Sequence, residues 1–203
     1  MKIQTKLFSL TAAVVLLSLT SVQAAVTTGA AAPDFTLTDT FEKEHSLSDF
    51  KGKYVVLEWL NHDCPFVKKH YESKNMQSLQ EKYTQQGVVW LSVNSSAHGK
   101  QGHYHSEEAN QLTKQKGANP TAVLIDADGD VGRLYGAQTT PHIFIINPEG
   151  HLIYQGAIDS IASANLADIK QADNYVEQTL NAAMNGQPVL ASATKSYGCS
   201  VKY

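Results

Sequence analysis

Residues 54–71 read YVVLEWLNHDCPFVKKHY. The first six are apolar apart from Glu58 and rich in β-branched and aromatic side chains, the composition of a strand covered on both faces. Pro65 fixes φ and has no N–H to leave unpaired, so it suits the first turn of a helix that starts just after Cys64. Cys64 then falls at the N-cap, where unpaired backbone N–H groups and the positive end of the helix dipole meet its sulfur. That environment stabilises a thiolate and lowers the thiol pKa from its ordinary value of about 8.5. His62, Lys68 and Lys69 add positive charge nearby, and Asp63 opposes them. The position favours an activated nucleophile. The alternative, a buried cysteine packed as a small hydrophobe, fits poorly beside Asn61, His62, Asp63 and Pro65.

Outward from this stretch the chain alternates strands and helices. APDFTLTDT and KEHSLSDFKGK give a strand, a turn and a short helical segment before it. One helix is expected from Pro65 to Gly87, with Met76, Leu79 and Tyr83 at helical spacing and Gly87 as its stop. VVWLSVN (88–94) reads as a second buried strand, followed by a polar loop and a helix at 106–116. TAVLID (121–126) is a third strand, DADGD a turn and VGRLYG a short helix. HIFIIN (142–147) and HLIYQGAI (151–158), joined by PEG, read as a hairpin, and a helix follows at 174–185. The order is β-α-β-α-β-(α)-β-β-α. It predicts an α/β fold with a central mixed sheet and helices on both faces, and leaves the strand order open.

The first residues read differently. Lys2 and Lys6 precede the apolar run LFSLTAAVVLLSLT, and Val22 and Ala24 are small residues at cleavage-site spacing. This pattern predicts a secretory signal peptide over 1–24. The run is shorter than the roughly 20 residues needed to span a bilayer, so a retained anchor is the weaker alternative. The remaining 179 residues carry 14 Lys+Arg against 19 Asp+Glu, a formal charge of −5. That balance argues against a nucleic-acid surface or an anionic-membrane binder. Export places the two cysteines, Cys64 and Cys199, in an oxidising compartment (the periplasm in a diderm bacterium) where they are able to pair.

APDFTLTDT, SLSDFKGKYVVLEWLNHDCPF and TTPHIFIINPEGHLIYQGAI resemble the thioredoxin-like redoxins, the group that holds the peroxiredoxins (AhpC/TSA family) and the TlpA-like disulfide reductases. The likeness covers roughly residues 30–185. With the terminal YGCSVKY it is nearest to a peroxiredoxin-like exported subgroup. The resemblance implies a thioredoxin-like fold over 25–186, a tail over 187–203 carrying Cys199, and thiol redox chemistry without an organic cofactor. Two family features differ here. Val67 stands where C-x-x-C proteins have their second cysteine, and Asn61 and Leu57 occupy the peroxiredoxin Thr and Pro positions. Arg133, the chain's single arginine, lies just after the third strand, so no activating arginine of the peroxiredoxin kind is identifiable.

Several positions take roles from the resemblance. Glu58, six residues before Cys64, matches a buried acid implicated in proton transfer; the alternative is a carboxylate that faces solvent or caps a neighbour. Thr140 and Pro141 match the cis-proline loop, whose residue before proline offers backbone hydrogen bonds to an incoming peptide or disulfide; the alternative is an ordinary trans bond. Asn61 replaces the peroxide-orienting threonine, and His62 joins the substrate-binding set. Cys199, on a flexible tail with Gly198, has three readings: a resolving thiol for Cys64, a structural bridge closing about 135 residues, or a pair with another molecule.

Other signals carry less. His98, His103 and His105 lie in a polar loop without a paired carboxylate or cysteine, so a solvated loop is the reading and no metal is expected. In DADGD the calcium-loop positions that need Gly and Glu hold Val131 and Ala137. The expected function is an exported thiol-dependent oxidoreductase with peroxiredoxin-like antioxidant activity, Cys64 as nucleophile and Cys199 as resolving thiol. Its partners are a peroxide or protein disulfide and an external thiol reductant. The alternatives are TlpA-type thiol–disulfide exchange and a non-catalytic copper-handling or adaptor protein.

Overall fold

A computed structural model describes residues 26–203. The signal-peptide reading over 1–24 lies outside the described residues. Among those described, no helix is long and apolar enough to cross a membrane.

Three parallel strands form the centre: β3 (Val55–Trp59), β4 (Val89–Asn94) and β5 (Ala122–Ile125). Helices α1 (Pro65–Glu72), α2 (Asn75–Thr84) and α3 (Ser106–Lys116) make the crossovers. At one edge, β1 (Thr36–Asp39) runs antiparallel to β5, and β2 (Glu44–Ser46) pairs with β1. Short α4 (Asp130–Tyr135) leads to β6 (Thr139–Thr140), then β7 (His142–Ile146) and β8 (Leu152–Gly156), and α5 (Tyr175–Met184) follows. The sheet order is β2-β1-β5-β4-β3-β7-β8. The mixed sheet expected from the β-α-β pattern is present, and pairing, not pattern, decides that β7 lies beside β3.

Every residue of β3 is buried, which accounts for its nearly unbroken apolar run. Val55, Leu57 and Trp59 face one core with Leu91, Val93, Tyr135 and Phe144. Val56, Leu60 and Cys64 face the other with Val67, Tyr71, Met76, Trp90 and Ile143.

The single helix expected over 65–87 is two helices. Lys74 adopts the left-handed conformation at φ 65°, ending α1 and resetting the phase for α2. The apolar positions show why: Tyr71 and Met76 are five apart, and only a break lets both face the core. At the break the Tyr71 carbonyl accepts from the Lys74 N–H at 3.2 Å and from the Gln77 amide at 2.9 Å.

The tail differs from the flexible segment expected of it. Strand β9 (Cys199–Ser200) pairs antiparallel with β6. Thr194 N–H donates to the Gln155 carbonyl at 3.0 Å, and Val201 N–H to that of Gln138 at 3.0 Å. The Tyr203 hydroxyl donates to the Ala137 carbonyl at 2.7 Å, with Arg133 stacked over its ring.

Candidate functional site

The β3–β7 register builds the site. Trp59 pairs with His142 in antiparallel alignment, so the chain leaving β3 and the chain entering β7 meet at one edge. Cys64 is the residue just before α1, as the proline implied. The Thr140–Pro141 peptide bond beside it is cis. The Cys64 thiol donates to the Thr140 carbonyl at 3.0 Å and accepts from the Cys199 N–H at 3.4 Å. The register Thr140↔Cys199 brings the second cysteine to the first, and both thiols are free.

Burial acts to raise the Cys64 pKa, but hydrogen bonds from the Cys199 thiol and from the backbone of Val67, Cys199 and Phe66 outweigh it, so the pKa lies below the ordinary thiol value. The Phe66 and Val67 amides of α1 reach the Cys64 sulfur only beyond ordinary cap hydrogen-bond geometry. They act on the large sulfur at longer range, as the positive end of a dipole. Cys199 responds in the opposite direction: burial and the neighbouring Cys64 push it up to about 11. One thiol is thus the better nucleophile and the other the proton-bearing partner. The sulfur of Cys64 is nevertheless covered, with the residue only 1 % exposed beneath the tail.

Two of the three side chains expected to add positive field, His62 and Lys69, are placed otherwise. Burial holds His62 down to about 4, so it is neutral near pH 7; its ring packs edge-on against Tyr71 at 5.1 Å. Lys69 is fully buried and bonds Asp159 at 2.8 Å, the Ile161 carbonyl at 2.8 Å and the Tyr197 hydroxyl at 3.3 Å. Asn61 is not open to a peroxide either. Its side-chain oxygen accepts from the Asp63 N–H at 2.9 Å, its amide donates to the Gln101 carbonyl at 3.2 Å, and its own carbonyl accepts from the Cys64 N–H at 3.0 Å. Asn61 shapes the turn that presents Cys64.

Glu58 points inward. It accepts from Tyr71 at 2.8 Å, Trp90 at 2.8 Å, and Gln80 and Ser92 at 3.3 Å each. Desolvation raises its pKa above 4.5 despite these donors. Val67 fills the same core, where a C-x-x-C protein would have its second thiol. A carboxyl whose pKa is higher folded than unfolded binds more protons when folded, so it costs stability as pH rises. The gap in unfolding free energy between wild type and Glu58→Gln is therefore expected to shift towards the variant as pH climbs above 4.5, levelling once Glu58 is ionised in the fold. Urea unfolding at a series of pH values measures it, and a pH-independent gap would contradict the raised pKa.

The rings of His98, His103 and His105 gather with centroids 5.0–6.5 Å apart. Among the described residues no three His, Cys, Asp or Glu side chains are placed to hold a metal ion. The DADGD turn is held by Asp126, which accepts from Ser95 at 2.5 Å and Gly132 N–H at 2.8 Å.

Sequence reasoning missed Asp159, His70 and Tyr197, and gave Lys69 and Gly198 other roles. Asp159 sits beyond β8, far along the chain from the helix it serves. Lys69 lies two residues from Val67 and Tyr71, on the other side of the helix from their apolar face, so its burial had no local signal.

The protein is similar to the thiol-disulfide oxidoreductase ResA of Bacillus subtilis (strain 168), 31% identical over 128 residues. The match takes in 63% of this chain and 66% of ResA, just under two thirds of that relative's length. It is also 26% identical over 154 residues to a probable phospholipid hydroperoxide glutathione peroxidase of Solanum lycopersicum, across 68% of this chain and 90% of that protein. Among solved structures, a hypothetical protein from Sinorhizobium meliloti 1021 matches with a TM-score of 0.73 at 25% identity, covering 89% of this chain and 96% of that one. A putative thiol:disulfide interchange protein DsbE from Chlorobium tepidum matches at 0.53 and 27% identity, covering 64% and 85%. The fold is thioredoxin-like. The AhpC/TSA family model matches residues 28–155, from ahead of β1 through most of β8, and the chain belongs to that family.

Proposed function

We propose that this chain is an exported thiol–disulfide oxidoreductase in which Cys64 attacks a protein disulfide and Cys199 completes the exchange. The observation that carries the reading is the pairing of β9 with β6, which puts Cys199 against the lowered-pKa Cys64. The Cys64 thiolate attacks one sulfur of the substrate disulfide, forming a mixed disulfide and releasing the other sulfur as a thiolate. Cys199 loses its proton and attacks the Cys64 sulfur, forming Cys64–Cys199 and releasing the second substrate thiolate. An external dithiol returns both cysteines to thiols. Export rests on the signal-peptide pattern of residues 1–24.

Disulfide exchange is favoured over peroxide reduction. Asn61 is engaged at both ends, and the lone arginine bonds the Asp128 carbonyl and stacks on Tyr203. Neither group is free to polarise an O–O bond beside Cys64. The likeness to the tomato peroxidase keeps the second reading in play, and one experiment separates them. Reduced protein receives one equivalent of insulin disulfide or of hydrogen peroxide, is acid-quenched over time and is mapped by mass spectrometry. The expected product is the Cys64–Cys199 peptide with insulin, absent in Cys64→Ser and formed at least tenfold more slowly with peroxide. Faster bridging with peroxide would reverse the choice, and no bridge with either oxidant would refute both.

A further inference from the structure

We propose that Tyr197, clamped by Asp159 and Lys69, sets the register in which the tail presents Cys199 to Cys64, and so is a positioning residue for the step that resolves a mixed disulfide. The inference rests on the exchange reading above. Its basis is a buried polar network in a place where the fold alone does not require one. Lys69 is fully buried on α1, the helix that begins at Cys64, and its ammonium bonds Asp159 at 2.8 Å. The Tyr197 hydroxyl donates to the other Asp159 oxygen and accepts from Lys69 at 3.3 Å. His70 Nε2 lies 3.2 Å from the same hydroxyl, and its Nδ1 is 2.9 Å from the Asn75 amide. The Tyr197 ring packs edge-on against Phe66, two residues after Cys64.

One helix therefore carries both the nucleophile and the anchor, and one tail segment carries both the anchored phenol and the second thiol. The chain bends at Gly198, and that one residue separates the clamped phenol from the second thiol. Fixing Tyr197 over Lys69 thus leaves Cys199 no slack to slip away from Cys64. The intervening residue must be glycine. Gly198 has φ 138°, and a Cβ there would fall on the Thr140 carbonyl oxygen. The β6–β9 ladder is only two residue pairs long, and Val201 and Tyr203 anchor the chain beyond Cys199. The phenol supplies the constraint on the other side, ahead of Cys199.

The test uses the full chain, reduced and mixed with one equivalent of 5,5′-dithiobis(2-nitrobenzoate), with thionitrobenzoate release followed in a stopped-flow instrument. The first equivalent of product reports attack by Cys64, leaving a Cys64–thionitrobenzoate mixed disulfide. The second reports its displacement by Cys199 as the internal bridge closes. In Tyr197→Phe the second phase is expected to slow by about tenfold or more, the scale of losing one hydrogen bond to a charged partner. The first phase is unchanged or faster, because a loosened tail uncovers Cys64. General structural damage would not move the phases in opposite directions. The bridge itself becomes easier to reduce by the same factor, about 30 mV per tenfold in glutathione titrations. Thr194→Val loosens the tail elsewhere, where Thr194 meets Tyr154 at 2.6 Å and the Ala157 N–H at 3.0 Å, and slows the second phase far less. A second phase unchanged in Tyr197→Phe, or slowed equally in Thr194→Val, overturns the role of Tyr197 and leaves the exchange reading standing. A wild-type protein that releases one equivalent only, like Cys199→Ser, overturns the exchange reading itself.

Discussion

Alkylation of Cys64 by iodoacetamide is expected to accelerate about a hundredfold in Gly198→Ala, measured at about pH 9.5, where thiolate supply no longer limits the rate. In the native chain Cys64 is 1 % exposed, so reagent reaches it only when the tail lifts. Alanine at 198 would carry a side chain at φ 138° and place its Cβ on the Thr140 carbonyl. Backbone cannot yield as a flexible side chain can, so the β6–β9 pairing is lost. A hundredfold gain in open population corresponds to about 2.7 kcal/mol, within reach of a forbidden φ plus a backbone overlap. Two effects compete: freeing the tail also removes the Cys199 hydrogen bonds that help ionise Cys64. Working at high pH silences that term and leaves access to decide. Cys199→Ser, which keeps Gly198 and the ladder, is expected to stay protected. An alanine variant that alkylates no faster than wild type would show that the tail does not cover the thiol in solution.

Lys69→Ala is expected to lower the unfolding free energy by about 3–5 kcal/mol, because it strands the Asp159 carboxylate without its cation. Asp159 is 3 % exposed, and among the described residues its only other cationic candidate is His70 at 3.9 Å. Burial holds His70 down to about 4, so it is neutral at pH 7 and does not replace the lost charge. Urea unfolding that shows a shifted midpoint at constant slope would measure the loss. Replacing both partners by apolar residues of similar volume, Lys69→Met with Asp159→Leu, is expected to recover most of it, since the cost lies in the orphaned charge and not in the missing pair. A single variant within 1 kcal/mol of wild type would mean that water enters beside Asp159.

These effects mark where local pattern stopped being informative. The strand at Val55–Trp59 and the helix start after Cys64 follow from residues within a few positions of each other, and the chain showed them; the cis turn at Pro141 came from the resemblance. The break at Lys74 was concealed because Met76, Leu79 and Tyr83 keep helical spacing among themselves; only their phase relative to Tyr71 betrays it. His62 and Lys69 read as positive field because a sequence gives charge without solvation. Burial neutralises the first, and Asp159 engages the second. Asn61 sits three residues before the thiol, yet its amide faces Asp63 and Gln101 instead of a substrate.

By itself the sequence determined which thiol stands at a helix start, because N-capping and proline chemistry act over one turn of chain. It also determined the central strands β3, β4 and β7, because burial on two faces requires an apolar run. Only the tertiary structure decided where Cys199 goes, 135 residues from Cys64. Its place depends on the β3–β7 register, the two-residue ladder on Thr139–Thr140 and a phenol seated on an ion pair from two other elements. Those are contacts between segments whose separation along the chain carries no local signature, so packing alone assembles them.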